Sequence, residues 1–194
     1  MDNDYSIVKK IIDKDEIKME RIDKNKYILR FSISSDKLYI KKLIGFDIAQ
    51  ILYEVNKDIF EDFDMNLNKN GHEAEVYFLI KHFFSDFGLP QKYMHLQIQK
   101  IQDEKSDAIL FFCQNANPDL YTSILNIPSK GEQMNTDLIH IVCNAINDHK
   151  VDVVNTIFLN NHVDIPAVVE KMAGILISKM FLKVKQFIET APTL

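Results

Sequence analysis

The chain has 194 residues, 46% of them hydrophobic and 26% charged, with 23 Lys and Arg against 28 Asp and Glu for a formal net charge of -5. That composition excludes disordered, collagen-like and fibrous chains, and the acidic balance argues against duplex nucleic acid or an anionic membrane surface as default partner. A chain of this length removes roughly 70% of its extended surface from water on folding, so a single domain spanning 1–194 needs neither disulfides nor a structural metal.

The segment Met1-Asp2-Asn3-Asp4-Tyr5-Ser6 carries neither the basic flank nor the apolar run of a secretory leader. The longest apolar stretch, Val168 to Leu182, is broken by Glu170, Lys171 and Lys179, charges that a spanning helix does not tolerate at mid-bilayer depth. The two cysteines, Cys113 and Cys143, sit in apolar runs without CxxC spacing and read as small buried hydrophobes of a reducing compartment. A cytoplasmic protein without a membrane span is the expectation.

In chain order, Ser6 to Ile12 has the spacing of a short amphipathic helix. Ile17 to Asp23 and Tyr27 to Ser34 form a hairpin, because Leu29, Phe31 and Ile33 alternate with Ile28 and Arg30. Leu38 to Ile44 fits either a third strand or the start of the next helix. From Asp47 to Phe60, Ile48, Ile51, Leu52, Val55 and Ile59 recur at helical spacing, and from Glu73 to Phe87 so do Val76, Leu79, Ile80 and Phe83, ahead of a Gly88-Leu89-Pro90 stop. The period then falls to two: Met94, Leu96 and Ile98 lead to the apolar run Ala108 to Cys113, and Leu138 to Ile146 pairs with Val151 to Leu159 around Asp148-His149-Lys150. Asp164 caps and Pro166 opens a long helix to about Glu189.

These elements predict an α+β fold, a mostly antiparallel sheet with two central helices and a long C-terminal helix packed on it. The element order resembles two architectures. One is a helix-grip fold, in which a curved sheet wraps the last helix and leaves an apolar cavity. The other is a flat sheet with helices on one face, as in small secretion-chaperone-like adaptors.

The stretch Asp62 to Glu73 puts side-chain oxygens at the ligand spacing of an EF-hand loop, but Leu67 stands where the turn needs glycine, so the segment reads as a polar connection built by Asn and Gly. The six histidines are scattered and form no HExxH pair. Five glycines supply no phosphate loop, and no Gly-x-Ser-x-Gly elbow occurs. No catalytic residue, metal site or cofactor is therefore expected, and the chain reads as non-enzymatic.

Two features resemble surfaces. The connection Gln114 to Thr136 carries Leu120, Tyr121, Ile124 and Ile127 between prolines, in the manner of a cover or docking loop. The C-terminal helix is apolar nearly all round, with Val169, Met172, Ala173, Leu176, Met180 and Phe187 on its leading face, Ile175 and Leu182 on its flanks, and Lys171, Ser178 and Lys185 as its polar strip. Leu120, Tyr121, Ile124, Ile127, Ile175 and Leu182 are thus the candidate partner-binding residues. The favoured function is an adaptor or chaperone-like subunit that binds another protein chain or a second copy of itself. The alternatives are a helix-grip-like carrier of an apolar small molecule and a viral structural or assembly protein.

Overall fold

The computed structural model describes residues 8–83, 85–103, 107–117, 131–134, 136–160, 162 and 164–191. Its strands are β1 (Lys9–Lys14), β2 (Ile17–Asp23), β3 (Lys26–Ser34), β4 (Phe60–Leu67), β5 (Glu73–Ile80), β6 (Lys92–Asp103), β7 (Ala108–Asn115), β8 (Glu132–Gln133), β9 (Thr136–Asn147) and β10 (Lys150–Leu159). Its helices are α1 (Ile40–Leu43), α2 (Asp47–Glu54) and α3 (Ala167–Thr190). The strands form one sheet in the order β1-β2-β3-β10-β9-β7-β6-β5-β4, with the short β8 added parallel to β6. Two antiparallel meanders, β1-β2-β3 and β4-β5-β6-β7, are joined by the β9-β10 hairpin wedged between them. The α+β class and the long C-terminal helix on an antiparallel sheet are as the sequence predicts.

All three helices contribute to one apolar core with the inner face of this sheet. The chain leaves β3, passes through α1 and α2, and reaches the far edge at β4. Helix α3 packs chiefly on β1, β2, β3 and α2, and α2 packs on β4. The hairpins expected over Ile17 to Ser34 and Leu138 to Leu159 are present, as are the strands on either side of Ala108. Leu38 to Ile44 resolves as the one-turn helix α1.

Three helical expectations fail for identifiable reasons. Over Ser6 to Ile12, the described part is strand β1, where a bulge between Lys10 and Ile12 lets both Ile11 and Ile12 reach the core. Adjacent inward residues are what made the spacing look helical. The segment Glu73 to Phe87 is strand β5 followed by a short turn. Ala74, Val76 and Phe78 face the helices and Tyr77 and Leu79 face the other way, all buried, and a run covered on both faces has no period by which to recognise it. Helix α2 stops at Glu54 rather than Phe60. There Asn56 Nδ2 donates back to the Leu52 carbonyl at 2.9 Å and the Asn56 carbonyl accepts from the Ile59 and Phe60 amides, a local competition that ends helices.

With α2 ending at Glu54 and a strand in place of the helix over Glu73 to Phe87, Asp62 to Glu73 is not flanked by helices. It is the end of β4, a turn and the start of β5. Gly71 takes the left-handed conformation at φ +70°, the Asn70 side-chain oxygen accepts from the His72 amide, and Asn68 Nδ2 donates to Glu73. Leu67 stays extended, so the glycine missing from the EF-hand position is not missed. Asp164 does not cap α3 either. Its carboxylate lies 3.1 Å from Lys24 Nζ, and Pro166 occupies the cap position with no side-chain hydrogen bond to the helix.

Candidate functional site

The inner face can be followed strand by strand through the register. On β10 it presents Val151, Val153, Asn155 and Ile157; across the ladder these meet Leu29 and Phe31 of β3 on one side and Cys143, Ile141 and Ile139 of β9 on the other. Further on, Phe111 and Cys113 of β7 and Ile98 of β6 continue the same face.

Coverage of this face is uneven. Over β1–β3 it is tight. A Cβ added at Gly174 of α3 would meet Ile11 Cγ2 at 2.6 Å and Ile12 Cγ1 at 3.4 Å, so the absence of a side chain is what lets the helix seat on β1 and β2. Phe181 lies 5.2 Å from Phe31, centroid to centroid, and Val184 and Ile188 are fully buried.

The buried stripe of α3 also contains charges. Glu170, 5% exposed, accepts from Lys9 Nζ at 2.5 Å, Arg21 at 3.1 Å and the Tyr27 hydroxyl at 3.1 Å. Burial pushes its carboxyl up, but the Lys9 and Tyr27 hydrogen bonds and the two positive charges outweigh this and hold it below the ordinary range. Burial and the Glu170 charge push Tyr27 up to about 12. Lys185 is likewise buried, between Glu189, Glu16 and the Ser32 carbonyl.

The orientation of α3 therefore differs from the one its apolar pattern predicts. The sheet-facing residues are Glu170, Gly174, Ile177, Phe181, Val184, Lys185 and Ile188, whereas Val168, Ile175 and Phe187 are about half exposed. One glycine and two charged residues interrupt that stripe and weaken its hydrophobic signal. Ile175 is 49% exposed, and Leu182, seven residues on and so on the same side of the helix, is partly buried at the margin of the core. Leu120, Tyr121, Ile124 and Ile127 lie outside the described residues.

Over the central strands the cover is looser. Ile157 of β10, Ile139 and Ile141 of β9, and Met94 and Ile98 of β6 are only partly buried although they face the helices, so space for a water-sized molecule remains over them. Ile177 and Met180 of α3 pack against the same core and are partly exposed as well. Within this apolar strip sits one amide: Asn155 is 5% exposed and its Oδ1 has no hydrogen-bond partner. Leaving such an atom unpaired costs about 1–3 kcal/mol. Its signal in the sequence is that it is the one polar residue in the inner alternation Val151, Val153, Asn155, Ile157.

Other candidates offer less. Clefts of about 360 Å³, between Glu16, Ser34, Asp36, Lys185 and Glu189, and about 330 Å³, beside the β4–β5 turn, are lined mostly by polar side chains. On the outer face His95 Nε2 lies 2.6 Å from Glu75 Oε1, both buried, and His140 stacks on Phe112 at 4.5 Å, its pKa lowered by burial. Both thiols are buried on the inner face and pushed up to about 12 by desolvation, which makes them inert. Among the described residues no cluster of three His, Cys, Asp or Glu could hold a metal ion, and no helix is long and apolar enough to cross a membrane.

No protein-family model and no curated protein matches the chain. Solved structures do. The human StarD13 (DLC2) lipid transfer and protein localization domain superposes with a TM-score of 0.66 at 7% identity, covering 94% of this chain and 89% of that one. Human StAR-related lipid transfer protein 5 gives 0.65 at 8% identity over 93% and 85%. A STAR-related lipid transfer protein fragment from Xanthomonas axonopodis gives 0.63 at 10% identity over 93% and 97%. At these identities the likeness is one of fold: the chain has the helix-grip arrangement and not the flat sheet with helices on one face.

Proposed function

We propose that this protein is a non-enzymatic binder or carrier of an apolar small molecule, held between α3 and the central strands. The observation that carries the reading is the partly exposed isoleucine strip of Ile139, Ile141 and Ile157 on a face that helices cover. Apolar area left accessible inside a helix-covered face is the lining expected of a ligand cleft, and the lipid-transfer names of the fold neighbours support the same class. The carrier reading is better supported than the adaptor reading, which rests on the absence of a catalytic motif. Native mass spectrometry of the protein as recovered from cells tests it. One apolar molecule per chain, lost when Ile139 is replaced by Trp, is the expected result, and a bound polypeptide with no small molecule overturns it.

A second reading has one observation of its own. Val168, Ile175 and Phe187 expose large apolar area on the outer side of α3, which suits contact with another chain. Sedimentation of Ile175→Glu beside the parent chain tests this. Loss of an association seen in the parent supports the contact, and identical profiles remove it.

A further inference from the structure

Among the described residues five buried side-chain polar atoms lack a hydrogen-bond partner: Asn56 Oδ1, Tyr77 OH, His140 Nε2, Asn155 Oδ1 and Ser178 Oγ. Four lie away from the isoleucine strip of the central strands. Tyr77 and His140 lie on the outer face, Ser178 lies on α3 next to its tightly seated side, and Asn56 already spends its Nδ2 on the Leu52 and Met180 carbonyls, clamping α2 to α3. Asn155 alone of the five sits among the partly buried isoleucines of the central strands, itself 5% exposed.

We infer that the apolar strip around Asn155 takes a neutral molecule carrying a hydroxyl, and that this hydroxyl is held by Asn155. The inference rests on the carrier reading and adds to it the chemistry of the ligand's polar end. A hydroxyl donates to Oδ1 and offers lone pairs to the Nδ2 protons, so it satisfies the amide whichever way it faces. A carboxylate is disfavoured, because the neighbours of Asn155 on its face are Leu29, Ile141, Val153 and Ile157. A charge placed among them has no counter-ion and a large desolvation cost. Inner-face cations found by register are engaged elsewhere: Lys9 and Arg21 hold Glu170, Lys92 pairs with Glu132, and Lys100 donates to the Ile44 carbonyl at 3.4 Å. Asn155 is a specificity-determining residue in this scheme and not a catalytic one.

The test uses two probes, a pyrene-labelled long-chain alcohol and its methyl ether, titrated into the full chain. The parent protein binds the alcohol about tenfold more tightly than the ether, as one hydrogen bond to a buried acceptor predicts. Asn155→Leu, nearly the same size, binds both equally and melts about 3 °C higher without ligand, because the orphan acceptor is gone. Equal affinity of the parent protein for the two probes assigns Oδ1 to bound water and overturns the hydroxyl inference while leaving the carrier reading intact. Failure of the parent to bind either probe overturns both. Because the parent comparison needs no mutant, a misfolded Asn155→Leu does not block the test.

Discussion

The two halves of the inner face are built from similar residues and packed to different ends. Over β1–β3, helix α3 is drawn so close that only glycine fits at 174, and the helix is pinned by an ion cluster at Glu170 and a buried Lys185. Over β10, β9 and β6 the isoleucines keep accessible area and an amide goes without a partner. Close-packed interiors tolerate neither feature without cost, so the first half anchors the helix and the second is the half to which the proposed ligand is assigned.

The contrast is open to disruption from its tight side first. Gly174→Leu places a side chain where Ile11 already stands and is expected to cost about 3 kcal/mol in chemical denaturation; a neutral result would mean that α3 is not anchored there. Glu170→Gln comes next, at about 2 kcal/mol near neutral pH. The folded-state pKa of Glu170 is lowered, so its contribution is full above the ordinary glutamate range and is lost as pH falls through the folded value. The parent should therefore lose stability on acidification more steeply than Glu170→Gln does, and parallel curves would argue against the cluster.

The loose side is sharpened by a smaller effect. Ile141→Ala is expected to cost only about 1 kcal/mol, below the 2–5 kcal/mol typical of fully buried isoleucine, while weakening uptake of the pyrene alcohol. A full core penalty with unchanged uptake would show that the strip is ordinary core. Ile175→Glu, on the exposed side of α3, should change the unfolding free energy by no more than about 0.5 kcal/mol.

Much of the architecture was legible because it is written in local periodicity. Leu29, Phe31 and Ile33 alternate, as do Val151, Val153 and Ile157, and turn residues mark both hairpins, so those strands and the α+β class follow from pattern alone. Cys113 and Cys143 read as inert for the same reason, since the apolar residues around them predict burial. What stayed hidden was β5, whose run Ala74 to Ile80 is apolar on both faces, and β1, whose bulge at Ile11 breaks the alternation.

The sequence by itself determined that this chain folds as a sheet with one long terminal helix and that it carries no local catalytic motif, because helix and strand periods and motif spacings are properties of neighbouring residues. Only the tertiary structure decided which side of α3 faces the sheet. The choice is made by Gly174 fitting against Ile11 and by Glu170 meeting Lys9, Arg21 and Tyr27 from strands some 140 to 160 positions away. Only there, too, does Asn155 become a candidate site residue: an asparagine in a strand means little until the register sets it in an apolar strip that the helices cover and do not fill.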